Sequence, residues 1–387
     1  MVWPIGRGVD GNGERDTFGN VVVKQRKLLD ERNRVIMQIR LLPGFENFLM
    51  VPPFHALRSA AAHGPVIIVN HCEWRSDIII LLYNSPPSLI PTPGNFYDRA
   101  GGLKKQLLTA RKKGLDSTEY DDALTSVLEA LYDLVGRPVI QRLRELDVPE
   151  QSRIWWCPTS AFCSLPLHAM GPIRSDGLHK SYFSDLYIPS YTPTHSALIE
   201  SRKPSSHSFD KPSILLVAQP DIYMPGAWDE ISHIRHLNTT VDTLISKKAT
   251  RSAVVERLQD HRFAHFTCHE IPETGKPFDA SFKLYQGQRL TLLDIIRSRL
   301  SSAEFAFLSA AVQYPGFRSV VGTMWAMADV DGQALVKHFY ASVFSDEWKD
   351  VPYYERTAEA LRDAVQVLRR MNKVTTERWV NSVHYGA

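Results

Sequence analysis

The chain reads as an α/β protein with a doubly wound, mostly parallel sheet, on three observations. Four short apolar runs of strand length, at 213–218, 263–269, 303–310 and 317–325, are closed by small or polar residues, as strands buried on both faces are. Segments with helical spacing alternate with them or follow them, at 228–246, 253–259, 291–299, 331–344 and 356–371. Between the last two strand runs stand only Ala311, Val312, Gln313, Tyr314, Pro315 and Gly316. A parallel pair needs a crossover of about a dozen residues or more, so a piece of the expected connection is missing there.

Upstream of these runs, residues 1–20 are rich in Gly, Asp, Asn and Arg without periodicity and are expected to form a loose tail. A helix is expected over 22–41, stopped by Pro43 and Gly44. Its basic stretch, Lys24 to Arg40, also holds Asp30 and Glu31 between apolar residues at roughly helical spacing, which reads as a solvated helix face. A short helix follows at 55–63, then two strands at 64–70 and 76–82 joined by a polar turn. Residues 86–97 read as loop, and 103–113 and 120–146 as helices, the second kinked by Gly136 and Pro138. Apolar runs at 154–158, 165–169 and 186–191 form a strand-and-turn region, and the Ser- and Pro-rich stretch 201–212 is a linker.

Composition narrows the function classes. The chain has 387 residues, enough for one large core or two medium ones, with 44% apolar and 22% charged residues. A net charge of +3 spread among interleaved signs argues against a nucleic-acid footprint. Four cysteines without a Cys-x-x-Cys pair make no disulfide framework and suit a reducing compartment. No apolar run approaches the length of a signal peptide or a membrane span, so a cytoplasmic protein without membrane contact is expected. No phosphate-cradling glycine motif is present, and His71, Cys72, Glu73, Cys163 and His168 lack metal-site spacing, so neither cofactor nor metal is expected.

The chemistry-bearing position is His269, which closes the strand run at 263–269 and precedes the loop marked by Pro272. A histidine at the C-terminal end of one central strand, beside a strand ending in Ser309, Ala310 and Ala311, has the layout of a His–nucleophile dyad. No cysteine fits as the nucleophile. Cys268 precedes His269 in a strand and points to the opposite face, while Cys157 and Cys163 lie in the other half and read as small buried hydrophobes. Trp155, Trp156, Trp325 and Trp379 read as core aromatics, and Asp329 and Asp331 as helix-start residues or flanks of a cleft.

Several ordered motifs carry a family resemblance. Trp155 to Thr159, Leu165 to Ala169, Ser190 to Thr194, His265 to His269, Phe307 to Ala310 and Phe317 to Trp325 together resemble the CHAT domain, a caspase- and separase-like cysteine peptidase domain, in the form found in mushroom-forming fungi. The resemblance covers the chain from about residue 42 to its end. It implies a caspase-like scaffold with a pseudo-protease-like N-terminal α/β subdomain at 42–200, the linker at 201–212 and the caspase-like subdomain at 213–387. It also implies a protein or peptide as substrate or partner, and tetratricopeptide repeats upstream in a longer form.

In the active family a thiolate attacks a peptide carbonyl, the residue matching His269 acts as general base, and backbone N–H groups hold the oxyanion. This chain departs from that pattern in three ways. Ala311 stands at the position of the nucleophilic cysteine, the loop and helix that follow that cysteine are largely absent, and Glu270 replaces the usual glycine beside the oxyanion site formed with Ser309 and Ala310. The expectation is therefore a peptidase scaffold that does not hydrolyse peptides, or a pseudoprotease that binds a partner. An active endopeptidase is the alternative if a segment beginning with cysteine belongs between Ala310 and Ala311. Without the crossover helix, the strand at 317–325 is expected to lose cover on one face or to withdraw from the sheet.

Overall fold

The structure, a computed structural model, describes residues 18–46, 48–50, 52–114, 117–172, 181–203, 210–219, 226–271, 279–298, 300, 302–308, 316–325, 329–348, 350–371 and 374–387. They fall in two compact units, Met1–Leu57 and Arg58–Ala387. The first contains α1 (Phe18–Arg40) and the single turn α2 (Phe54–Leu57), with the Arg40 guanidinium donating to the Phe48 carbonyl at 2.8 Å.

The first half of the second unit runs through β1 (Val66–Asn70), β2 (Asp77–Leu81), β3 (Ser88–Pro91), α3 (Phe96–Ala110), α4 (Thr118–Leu131), α5 (Arg137–Glu145) and β4 (Arg153–Pro158). It continues with α6 (Phe183–Leu186), β5 (Ile188–Tyr191) and α7 (His195–Ser201). The second half holds β6 (Ile214–Ala218), α8 (Ala227–Arg235), β7 (Val241–Ile245), α9 (Arg251–Leu258), β8 (Phe263–Thr267), β9 (Glu270–Ile271), β10 (Ser281–Lys283), β11 (Arg289–Thr291) and α10 (Leu292–Arg297). It closes with β12 (Phe305–Leu308), β13 (Ser319–Thr323), α11 (Asp329–Val343), α12 (Thr357–Arg370), α13 (Thr376–Val380) and β14 (Ser382–Gly386).

Eleven of these strands form one sheet in the order β3, β2, β1, β4, β5, β14, β13, β12, β8, β6, β7. Pairing is parallel except at β3 with β2, β2 with β1, and β14 with β13. The expected α/β class with a mostly parallel sheet is what the chain adopts. β9, β10 and β11 make a separate antiparallel sheet.

Both faces are covered where the strands are apolar throughout. On one face Phe305 and Phe307 of β12 pack against Phe339 of α11, with ring centroids 5.5 and 5.3 Å apart. On the other, Phe266 of β8, Ala306 and Leu308 join Val254 and Leu258 of α9 and Ile295 of α10. Each large side chain sealed this way contributes ~1.5–3 kcal/mol of transfer free energy.

The structure corrects several expectations. Residues 88–91 are an edge strand rather than loop, with Pro91 at a position where no further strand needs its missing N–H. The expected helix at 228–246 stops at Arg235, and the β-branched run from Thr239 to Ile245 turns into the edge strand β7. The run at 165–169 contains a tight helical turn at Leu167–Ala169. The long helix at 120–146 is divided by one widened turn at Tyr132–Gly136, next to Pro138 as its composition suggested.

β13 keeps its place, in register with β12 through Phe305 beside Ser319 and Phe307 beside Val321. All five of its residues are buried. Val321 joins the core that includes α12, and Val320 the core that includes α9, so the expected loss of cover is not found. β14, which short length and polar residues hid in the sequence, inserts antiparallel beside β13 and joins the two halves through β5. Its Gly386 lies at φ +97°, and a Cβ there would stand 2.1 Å from the Arg318 carbonyl oxygen.

Candidate functional site

The site is built where β8 and β12 end. β8 is flanked by β6 and β12, with Leu216 and Phe307 on either side of His265 and Leu308 beside Phe266. The strand end that precedes the expected nucleophile position thus adjoins the one that leads to His269. His269 lies two residues beyond β8 rather than in it, at the joint with the small sheet. Its carbonyl accepts from the Lys283 N–H at 2.8 Å, and the small sheet is pinned by Phe282 stacked on Phe266, centroids 4.8 Å apart.

His269 and Glu270 are half-buried. Burial holds the Glu270 carboxyl above the usual carboxylate range, which favours its neutral, hydrogen-bond-donating form. Ser309, Ala310 and Ala311 lie outside the described residues.

All four cysteines are described. Cys268, next to His269, is buried in the core, its Sγ 3.6 Å from the Val217 carbonyl, and burial pushes its thiol up to about 12. Cys157 lies in β4, five strand spacings from β8, or ~24 Å at ~4.8 Å per strand. Its thiol is raised by burial to about 11. Cys163 is exposed on the turn after β4 and is likewise raised by desolvation. Cys72 lies in the hairpin between β1 and β2, farther still from β8.

Beneath the strand end lies a polar network with no signal in local sequence. Glu230 of α8 accepts at Oε1 from the Thr267 hydroxyl at 3.0 Å and lies 2.6 Å from His265 Nε2. His265 Nδ1 is 3.0 Å from the Tyr340 hydroxyl, and the imidazole stacks on Phe307 at 4.8 Å. Tyr340 is held well above its ordinary value, first by burial and then by the Glu230 charge, so it stays a phenol and can donate to Nδ1. The Nε2–H then donates to the Glu230 carboxylate. The network is sealed from solvent and fixes the C-terminal part of β8 against α8 and α11.

Asp331 takes no part in a cleft: Arg378 grips it with Nε to Oδ2 at 2.7 Å and Nη2 to Oδ1 at 2.5 Å. Trp325, just past β13, is buried with its Nε1 unpartnered among the described residues, and the Arg111 guanidinium lies 5.3 Å from its ring centroid. Among the described residues no group of three His, Cys, Asp or Glu is placed to hold a metal ion, and no helix is long and apolar enough to cross a membrane.

Comparison with known proteins adds three findings. The sequence model of the family described as CHAT domain matches residues 125–387. Among solved structures, separase in the Saccharomyces cerevisiae separase–securin complex is similar at 9% identity and a TM-score of 0.47, over 86% of this chain and 30% of the separase chain. RgpB of Porphyromonas gingivalis, solved as a complex of its pro- and mature domains, is similar at 8% identity and a TM-score of 0.41, over 84% of this chain and 78% of that one. No curated protein matches the chain.

Proposed function

Because the chain belongs to the CHAT domain family, we propose that it is a caspase-like peptidase scaffold without hydrolytic activity, which holds a protein or peptide segment at the β8 and β12 strand ends. One observation carries this: Cys268, the thiol next to His269 in sequence, is buried against the Val217 carbonyl, and the other three cysteines lie on or beyond β4 in the other half of the sheet. A cysteine peptidase needs its thiolate within hydrogen-bond reach of the base, about 3–4 Å. Cys268 is buried in the core, and the other three lie in the far half of the sheet. Ala311 at the family's nucleophile position agrees with this.

What remains at the strand ends can bind. His269 and Glu270 stand half-buried side by side at the strand end, with the Glu270 carboxyl held above the usual carboxylate range by burial. In the active family His269 would take a thiol proton; here its role is to hydrogen-bond a bound segment. Incubating the full chain with unfolded casein and a mixed peptide library tests the hydrolytic part. No cleavage above that of the His269→Ala variant is expected, and cleavage lost in that variant would overturn the proposal. The binding part is tested by crosslinking, with a partner expected whose capture falls on His269→Ala.

A second reading is favoured by the connection between β12 and β13, parallel neighbours joined by only residues 309–318. A transcript with an in-frame segment starting with cysteine between the codons of Ala310 and Ala311 would encode an active endopeptidase. Sequencing the transcript decides between the two.

A further inference from the structure

Two arginines of this fold hold an acid side-on. Arg251 donates from Nε and Nη2 to the carboxylate oxygens of Asp294, at 2.9 and 2.5 Å, and Arg378 does the same to Asp331. These two N–H groups leave a guanidinium in the same direction and match the edge of a carboxylate or a phosphate. Arg202, the residue after α7, presents the same fork empty. Its Nη1 donates to the Ala60 carbonyl at 2.5 Å, while Nε and Nη2 are buried and bond to nothing among the described residues.

A second guanidinium stands beside it. Arg202 and Arg153, the first residue of β4, lie 4.2 and 4.5 Å from the ring centroid of Trp155, whose Nε1 is fixed on the Gly386 carbonyl at 2.7 Å. Arg153 Nη2 donates to the Ser190 hydroxyl at 2.8 Å, and its buried Nε is again without an acceptor among the described residues. Neither arginine forms an ion pair among the described residues. Glu355 and Glu359 act on Arg153 from beyond ion-pair distance, and Glu359 is held by Arg362 at 3.2 Å. Burial first, and then the charge of Arg202, lowers the Arg153 guanidinium to about 9, and burial lowers Arg202 to about 10. Arg251, with its fork filled, is raised instead by its bond to Asp294. At neutral pH both lowered groups keep their charge, so two cations are withdrawn from water close together. A carbonyl or a hydroxyl satisfies an N–H and leaves the charge; an anion satisfies both.

From this geometry we propose that the Nε–Nη2 fork of Arg202, backed by Arg153 at Trp155, is a binding site for a small oxyanion of the phosphate or carboxylate class. Two oxygens of the ion take the fork, as the carboxylates of Asp294 and Asp331 do elsewhere, and the Arg153 charge stands beside them. The site lies against β4, five strand spacings from β8, and does not depend on whether His269 takes part in binding or catalysis.

The test titrates the full chain by calorimetry with inorganic phosphate and, separately, with acetate, in chloride buffer of constant ionic strength. Saturable binding of at least one of the two is expected, and the tighter one names the class. Arg202→Lys keeps the charge but has no fork, and should weaken that binding by about tenfold or more in Kd. Arg202→Gln should weaken it at least as much, and circular dichroism checks that both variants are folded. Arg251→Lys, at a fork already filled by Asp294, should leave the affinity unchanged. No saturable binding of either ion would overturn the proposal. So would an affinity unaltered in the folded Arg202 variants, or one lost equally in Arg251→Lys.

Discussion

The buried network under the strand end makes a sharp stability prediction. In His265→Phe the ring stack on Phe307 is kept, but the Glu230 carboxylate loses the imidazole 2.6 Å away and the Tyr340 hydroxyl loses its partner at 3.0 Å. Glu230 is 9% exposed and Tyr340 1%, so water replaces neither bond well. Leaving a buried carboxylate short of one donor costs ~2–3 kcal/mol, and the orphaned hydroxyl adds ~1 kcal/mol or more. Total stabilities are about 5–15 kcal/mol, so the single substitution removes a large share.

Replacing three of the groups by apolar ones, Glu230→Leu with His265→Phe and Tyr340→Phe, leaves only the Thr267 hydroxyl without its partner and should recover much of the loss. The assay is urea denaturation at neutral pH, with calorimetric Tm as a second probe. The expected Tm loss for His265→Phe alone is about 1–2 °C per kcal/mol at this size. A His265→Phe variant within ~0.5 kcal/mol of wild type, or a triple variant no more stable than the single, would refute the network's structural role.

Other expectations follow from the same structure. His168, bonded to Tyr191 and the Val380 carbonyl, is depressed to about 4 by burial. Its neutral form is the folded one, so stability is present above the unfolded value of 6.5 and falls between about 6.5 and 4, by about 3 kcal/mol if this group acts alone. A His168→Gln variant should flatten the pH dependence of Tm in that window. Gly386→Ala should cost ~2–4 kcal/mol through its left-handed backbone and the Arg318 carbonyl. Gly102→Ala, in α3 with nothing within 4 Å of the added carbon, should stabilise by ~0.5–1 kcal/mol; thermal unfolding reads both. Ellman's reagent should label the exposed Cys163 in the native protein and reach Cys157 and Cys268 only after unfolding.

The long apolar strands and periodic helices were legible in sequence because their burial is continuous: β6, β8, β12 and β13 stand close to their expected places. What escaped was short or polar. β3, β7 and β14 are edge or joining strands whose pairing comes from distant partners, as when Tyr385 meets Tyr191. The three short strands of the small sheet gave no period to read. The end of the apolar run before His269 and Glu270 was legible as a strand end, though the strand stops at Thr267, two residues earlier than the run suggested. The bond between His265 and Glu230 joins residues on different elements, and nothing in the local sequence marks it.

The central claim is that no thiol in this chain is served by His269. Its most direct test is intact-mass spectrometry of the full chain after incubation with a peptidyl acyloxymethyl ketone, which alkylates an activated cysteine. The account predicts no adduct beyond slow, His269-independent labelling of the exposed Cys163. A stoichiometric adduct that disappears in His269→Ala would contradict it.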